Sequence, residues 1–174
     1  MSKKKILVII SEWGYWGEEL VGPLDVIDEK GWEATFVTPT GEKPRALPPS
    51  MEVGFMDPPL HKAVTDEYYA KATKKLDDSD RLAKPVNLEK WFPEMPFFNG
   101  PDFGHALEAW YNERAKCWKE LEQYDALLIP GGSGPMVDLV NNQRVHDIIL
   151  GFLEQNKLIT CICYAVAALP FARD

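Results

Sequence analysis

The stretch KILVIISEWGYWGEELVGPLDVIDEKGWEATFVT, residues 5–38, decides the fold. It opens with Lys5 to Ile10, a continuous apolar run rich in β-branched residues. Such a run is the pattern of a strand buried on both faces of a parallel sheet. Ser11 to Gly17 supplies turn residues, Trp16 among them. From Glu18 to Lys30 the apolar positions Leu20, Val21, Leu24, Val26 and Ile27 fit a helix, and Gly31 is placed to end it. Pro23 must then sit near the helix start or kink it. Glu33 to Thr38 reads as a second strand. Strand, helix and strand in so short a span make a βαβ unit, and such units build parallel sheets.

Outward from this unit the character of the chain changes. Residues 41–104 hold most of the prolines, including Pro48-Pro49, Pro58-Pro59, Pro85, Pro93 and Pro96. A structureless loop of that length inside a domain would be unusual. The segment is therefore expected to be an inserted lid or cap with short helical pieces, such as Thr65 to Leu76. Its aromatics (Tyr68, Tyr69, Trp91, Phe92, Phe97, Phe98) are expected to pack the insert rather than bind ligand. Beyond it, Ala106 to Leu121 has helical spacing and Ala126 to Ile129 is an apolar strand. Met136 to Val140 and Val145 to Leu153 read as helices, and Leu158 to Ile162 as a fourth strand. Tyr164 to Ala172 is rich in helix formers. The chain is expected to form one α/β domain over residues 1–174.

Three places carry candidate chemistry. The first is Cys163, between the fourth strand and the helix-forming segment. A nucleophile at a strand-to-helix turn is exposed at the carboxyl end of a parallel sheet, where a helix dipole would stabilise a thiolate. The alternative is an inert cysteine in an apolar strand. The second is Pro130-Gly131-Gly132-Ser133-Gly134, after a strand and before a helix. Glycines allow close approach of backbone N–H groups, which suits an oxyanion hole or an anion nest; a plain tight turn fits equally well. It lacks the pattern of a dinucleotide fingerprint and the lysine of a phosphate loop. The third is Glu18-Glu19, which either faces the nucleophile or only complements the helix dipole.

These features occur together and in this order in the ThiJ/PfpI superfamily, within the class I glutamine-amidotransferase-like fold. The segment Ile162-Cys163-Tyr164-Ala165-Val166-Ala167-Ala168-Leu169 is similar to the family's A-I-C-H-G-P-A-A-L elbow. Leu128 to Gly134 resembles its L-x-P-G-G-x-G turn. Glu19, four residues before Pro23, matches its E-x-x-x-P acid and is favoured over Glu18. The long insert, with Leu47-Pro48-Pro49-Ser50, looks like the glyoxalase III and heat-shock chaperone branch. The resemblance implies a flavodoxin-like parallel sheet with helices on both faces. It implies Cys163 as nucleophile, Glu19 as proton carrier and Tyr164 as a further catalytic candidate. Gly131, Gly132, Ser133 and Trp16 are the candidate substrate contacts. Many relatives carry His where Tyr164 stands, and a tyrosine with a pKa near ~10 is a poor base at neutral pH. The expected activity is hydrolase, lyase or glyoxalase-like chemistry on a small carbonyl-type molecule, with a redox sensor or stress chaperone as the alternative.

Relatives continue with further strands beyond the elbow. The sheet is therefore expected to be incomplete without a C-terminal partner segment, supplied by a second or cleaved polypeptide, and a homo-oligomer is implied. The net charge of -8 disfavours nucleic acid. No stretch approaches the ~18 apolar residues of a membrane span, and no secretory leader is read, so the cytoplasm is the expected location. The cysteines Cys117, Cys161 and Cys163 and the scattered His61, His105 and His146 form no zinc motif, and no cofactor is expected. A surface role is expected for each histidine, and a core-filling role for Cys161.

Overall fold

The apolar run at the start of the chain becomes the centre of a parallel sheet. The computed structural model describes residues 3–98 and 100–173. Strand β1 spans Lys5–Ile9, and β2, Glu33–Thr38, lies beside it with Ile6 opposite Ala34 and Val8 opposite Phe36. On the other side β6, Ala126–Ile129, pairs with β1, and β7, Leu158–Cys161, pairs with β6. The two-residue strand β5, Val86–Asn87, adds to β2. The order is β5-β2-β1-β6-β7, and every pairing is parallel. This is a flavodoxin-like α/β sheet.

Alternation along β1 sorts the core into two halves. Leu7 and Ile9 join Leu127 and Ile129 against α4 (Phe103–Glu120) and α6 (Gln143–Glu154), with Ile148, Ile149 and Phe152 fully buried. Ile6, Val8 and Ile10 face the opposite way, onto α1 (Gly17–Glu29) and α2 (Glu67–Asp78). The buried face of α1 is Gly17, Leu20, Val21, Leu24 and Ile27, spaced at three and four residues. Each fully buried aliphatic side chain contributes about 1.5–3 kcal/mol relative to exposure. Gly31, with φ of 63°, ends the helix as its position suggested. Pro23 lies inside α1 rather than at its start; lacking an N–H, it leaves the Glu19 carbonyl without its helical donor.

Residues 41–104 contain a 3-10 turn at Pro48–Met51, the small antiparallel pair β3 (Met56–Asp57) and β4 (Lys62–Ala63), α2, β5 and the short α3 (Leu88–Trp91). Asp66 caps α2 by accepting from Tyr69 N at 2.9 Å. The segment thus packs a helix on α1 and also supplies an edge strand to the main sheet. The Gly-rich turn leads into α5, only Pro135–Asp138.

One expected helix takes another form. Cys163–Phe171 is a 3-10 segment. Pro170 removes an N–H, Tyr164, Val166, Leu169 and Phe171 are exposed, and only the small Ala165 and Ala168, three residues apart, reach the core, so little packing favours an α-helix here. The α-helical dipole expected to favour a thiolate at Cys163 is absent. His146 also departs from expectation: it is buried, with Nε2 2.8 Å from the Val140 carbonyl. His61 and His105 are exposed.

Candidate active site

Because all strands of the five-stranded sheet run the same way, the ends of β1, β6 and β7 deliver three loops to one edge of that sheet. The β7 strand stops at Cys161, and Cys163 takes a φ of 53°. A non-glycine residue in that region carries strain of about 1–3 kcal/mol, which the surrounding fold must hold. The turn separates the two neighbouring cysteines. Cys161 stays half-buried against the core, where burial pushes its thiol up to about 11, whereas Cys163 is exposed.

Glu19, in the first turn of α1, meets Cys163. Its Oε2 accepts from Gly131 N at 2.8 Å, and the Cys163 thiol is a hydrogen-bond donor to the same carboxylate. Burial raises the Glu19 carboxyl above its ordinary range. The two hydrogen bonds oppose that shift without cancelling it. Glu18 also lies in the first turn of α1, but these contacts are made by Glu19.

Gly131 is the hub. A Cβ there would stand 2.7 Å from Cys163 Cβ and 2.8 Å from Glu19 Oε2, and would also strike the Ile162 carbonyl. Only glycine leaves room for the thiol and the carboxylate to meet. The Gly131 carbonyl accepts from Trp16 N at 2.9 Å. With its N–H on Glu19, Gly131 commits its amide to the carboxylate. Gly132 has φ of 98°, and Ser133 is exposed. Among the described residues neither of their N–H groups donates to a protein acceptor.

The backbone of Trp16 thus belongs to the site, and its ring is part-exposed. Tyr164 follows the nucleophile in chain order, but its side chain is 58% exposed and makes no hydrogen bond among the described residues. The structure brings together Cys163, Glu19, Gly131, Gly132 and Trp16; it leaves Tyr164 on the open surface.

Several supports had no signal in local pattern. Leu47 N donates to the Tyr15 carbonyl at 2.8 Å, and Tyr15 N donates to the Arg45 carbonyl at 3.1 Å. The Leu47 side chain packs over Gly14 and Gly132. Tyr15 is fully buried; burial and then the nearby Asp77 carboxylate raise its hydroxyl pKa. Ser11 lies against Gly134, and Asp138 accepts from Glu12 N at 2.8 Å. Among the described residues no three His, Cys, Asp or Glu are placed to hold a metal ion, and no helix is long and apolar enough to cross a membrane.

Comparison with solved structures finds the same architecture. The 24 kDa rapid encystment protein of Francisella tularensis matches at 23% identity and a TM-score of 0.62, over 98% of this chain and 63% of that one. Glyoxalase III from Candida albicans matches at 16% identity and a TM-score of 0.55, over 98% and 61%. Drosophila melanogaster DJ-1beta matches at 16% identity and a TM-score of 0.54, again over 98% and 61%. The chain spans less than two thirds of each of these structures. No curated protein sequence matches it. The family described as ThiJ/PfpI family-like matches residues 10–174. With nearly the whole chain matched and the fold shared, this protein belongs to the ThiJ/PfpI-like family.

Proposed function

We propose that this chain carries the nucleophile of a cysteine-dependent enzyme acting on a small carbonyl-type or related electrophilic substrate. The observation that carries the reading is the exposed Cys163, held in a strained turn with its thiol on the half-buried Glu19 carboxylate. In the step, the Cys163 proton passes to Glu19 as the sulfur forms a bond to the carbonyl carbon. The C=O π pair moves onto oxygen, where the N–H groups of Gly132 and Ser133 stabilise the oxyanion. Burial favours the neutral acid, so Glu19 retains that proton until it returns it to the oxyanion or the leaving group. The glyoxalase III neighbour supports carbonyl chemistry in this fold. Cys163→Ser should abolish turnover of small aldehyde and ester substrates while the fold is kept; retained turnover would end the proposal.

The same exposed thiol beside a carboxylic acid favours a second reading, a redox sensor. There two equivalents of peroxide oxidise Cys163 to the sulfinate and are reduced to water. Intact mass after peroxide titration separates the readings: gain of two oxygens at Cys163, with no aldehyde or ester turned over, selects the sensor.

The β7 edge supports a partner. Among the described residues the strand pairs on one side only, and Leu158, Tyr164, Val166, Leu169 and Phe171 are exposed around it. Parallel sheets are normally covered on both faces, so further polypeptide is proposed to complete this edge.

A further inference from the structure

Residue Asp77 lies in the last turn of α2 and is almost wholly buried, yet the proposed chemistry makes no use of it. Its Oδ1 accepts from Ala46 N at 2.8 Å, and its Oδ2 is 3.3 Å from an Arg45 guanidinium nitrogen. Lys43 Nζ donates to the Asp77 and Ser79 carbonyls at 2.8 and 2.7 Å, fastening the 43–47 segment to the end of α2. The fully buried Tyr15 hydroxyl, its pKa raised by burial and then by this carboxylate, lies near it without a hydrogen-bond partner of its own among the described residues.

From Ala46 the connections run to the site without a gap. Residues Arg45 and Leu47 exchange backbone hydrogen bonds with Tyr15, a parallel bridge between the insert and the loop after β1. Leu47 packs over Gly132. The next residue after Tyr15 is Trp16, whose N–H holds the Gly131 carbonyl, and Gly131 N holds Glu19. One turn earlier on α2, fully buried Thr73 fills the space where a side chain at Gly17 would stand.

We propose that Asp77 is a positioning residue for the Cys163–Glu19 pair, acting through Ala46, the Tyr15–Leu47 bridge and Gly131. The inference rests on Cys163 being the reactive thiol. Asp77 fixes the bridge, the bridge fixes Trp16 and Gly131, and Gly131 fixes the carboxylate that receives the thiol proton. The insert therefore sets the geometry of the reactive pair through one carboxylate.

The test is iodoacetamide alkylation of Cys163 across a broad pH range, read by peptide mass spectrometry, with melting followed by circular dichroism. In Asp77→Ala, alkylation at neutral pH should slow about tenfold and its midpoint move up by about one unit, since one unit of thiol pKa is tenfold in thiolate. Asp77→Asn keeps an acceptor for Ala46 N and should stay near wild type. Asp28→Asn, which loosens the Arg81 pair between α1 and the chain after α2 but touches neither bridge nor site, should leave the profile unchanged. Where Asp77→Ala fails to fold, Asp77→Ser replaces it, because a serine hydroxyl is too short to reach Ala46 N. A folded Ala or Ser variant with the wild-type profile overturns the proposal. So does an equal shift in Asp28→Asn, which would mean general loosening of α2. Unselective labelling of the wild type would instead end the reading of Cys163 as the reactive thiol, and this inference with it.

Discussion

Glu19 shows what burial does to a carboxyl that a site needs. Its folded pKa lies above the unfolded value near 4.5, because desolvation outweighs the hydrogen bonds from Gly131 and Cys163. The folded chain therefore holds this proton more tightly than the unfolded chain. The stability so gained is complete below the unfolded value and is lost as pH rises through the folded one. Glu19→Gln has no such loss. Its melting temperature should rise relative to wild type as pH increases through that window and then stay higher by a constant margin; a margin that shrinks towards neutral pH would contradict this. Turnover by Glu19→Gln should fall about 10²–10⁴-fold, the usual range for a lost proton carrier. Gly131→Ala tests the hub from the other side. A methyl pressed against Cys163, Glu19 and the Ile162 carbonyl should cost about 1–3 kcal/mol of stability, seen in denaturant unfolding, and abolish selective labelling of Cys163. Cys163 and Gly131 stood out because each lies in a turn just after a strand, and Glu19, in α1, stood out only through the resemblance of its E-x-x-x-P spacing. Asp77 was not, since its partners Ala46 and Arg45 lie 31 and 32 residues away and neither local spacing nor charge pattern links them.

Elements were legible where local pattern marked them. The strands β2 and β6 have the bounds their sequence runs predict, and β1 and β7 fall short by one residue each; short runs rich in apolar residues and bounded by turn residues mark them, whether they are deeply buried like β1 or partly open like β7. The strand β5 was invisible: two residues, one of them Asn87, in a proline-rich stretch carry no periodicity, and only the exposed edge of β2 makes them a strand. The segment after Cys163 was misjudged because helix propensity is a weak force where only two small side chains, Ala165 and Ala168, pack against the core. Helix α2 makes the converse point. It starts two residues later than the expected helical piece from Thr65, at the position that lets Asp66 cap it. Asp66→Ala should cost about 1 kcal/mol in thermal or denaturant unfolding. It should leave the pH profile of Cys163 alkylation unmoved, because the end of α2 that holds the site is Asp77's.

At the scale of the whole molecule, the uneven cover of the sheet is the dominant feature. The centre is sealed from both sides by α1, α2, α4 and α6, while β7 presents alternating exposed residues and, among the described residues, no strand along its outer edge. Leu158 is 66% exposed, a poor placement for a leucine on a regular strand. An open parallel edge flanked by apolar groups is a template for association. Residues 1–174 expressed alone should therefore associate increasingly with concentration in sedimentation velocity, through this edge. Leu158→Lys should restore a monomer by placing a charge on the strand. Phe97→Lys removes an apolar group of the insert that is 81% exposed, and it should leave association unchanged. If both variants dissociate the assembly equally, general surface hydrophobicity drives it and β7 has no special role. If only Leu158→Lys acts, the edge next to the nucleophile's own strand is where additional polypeptide docks, and Cys163, two residues beyond β7, would lie at that junction.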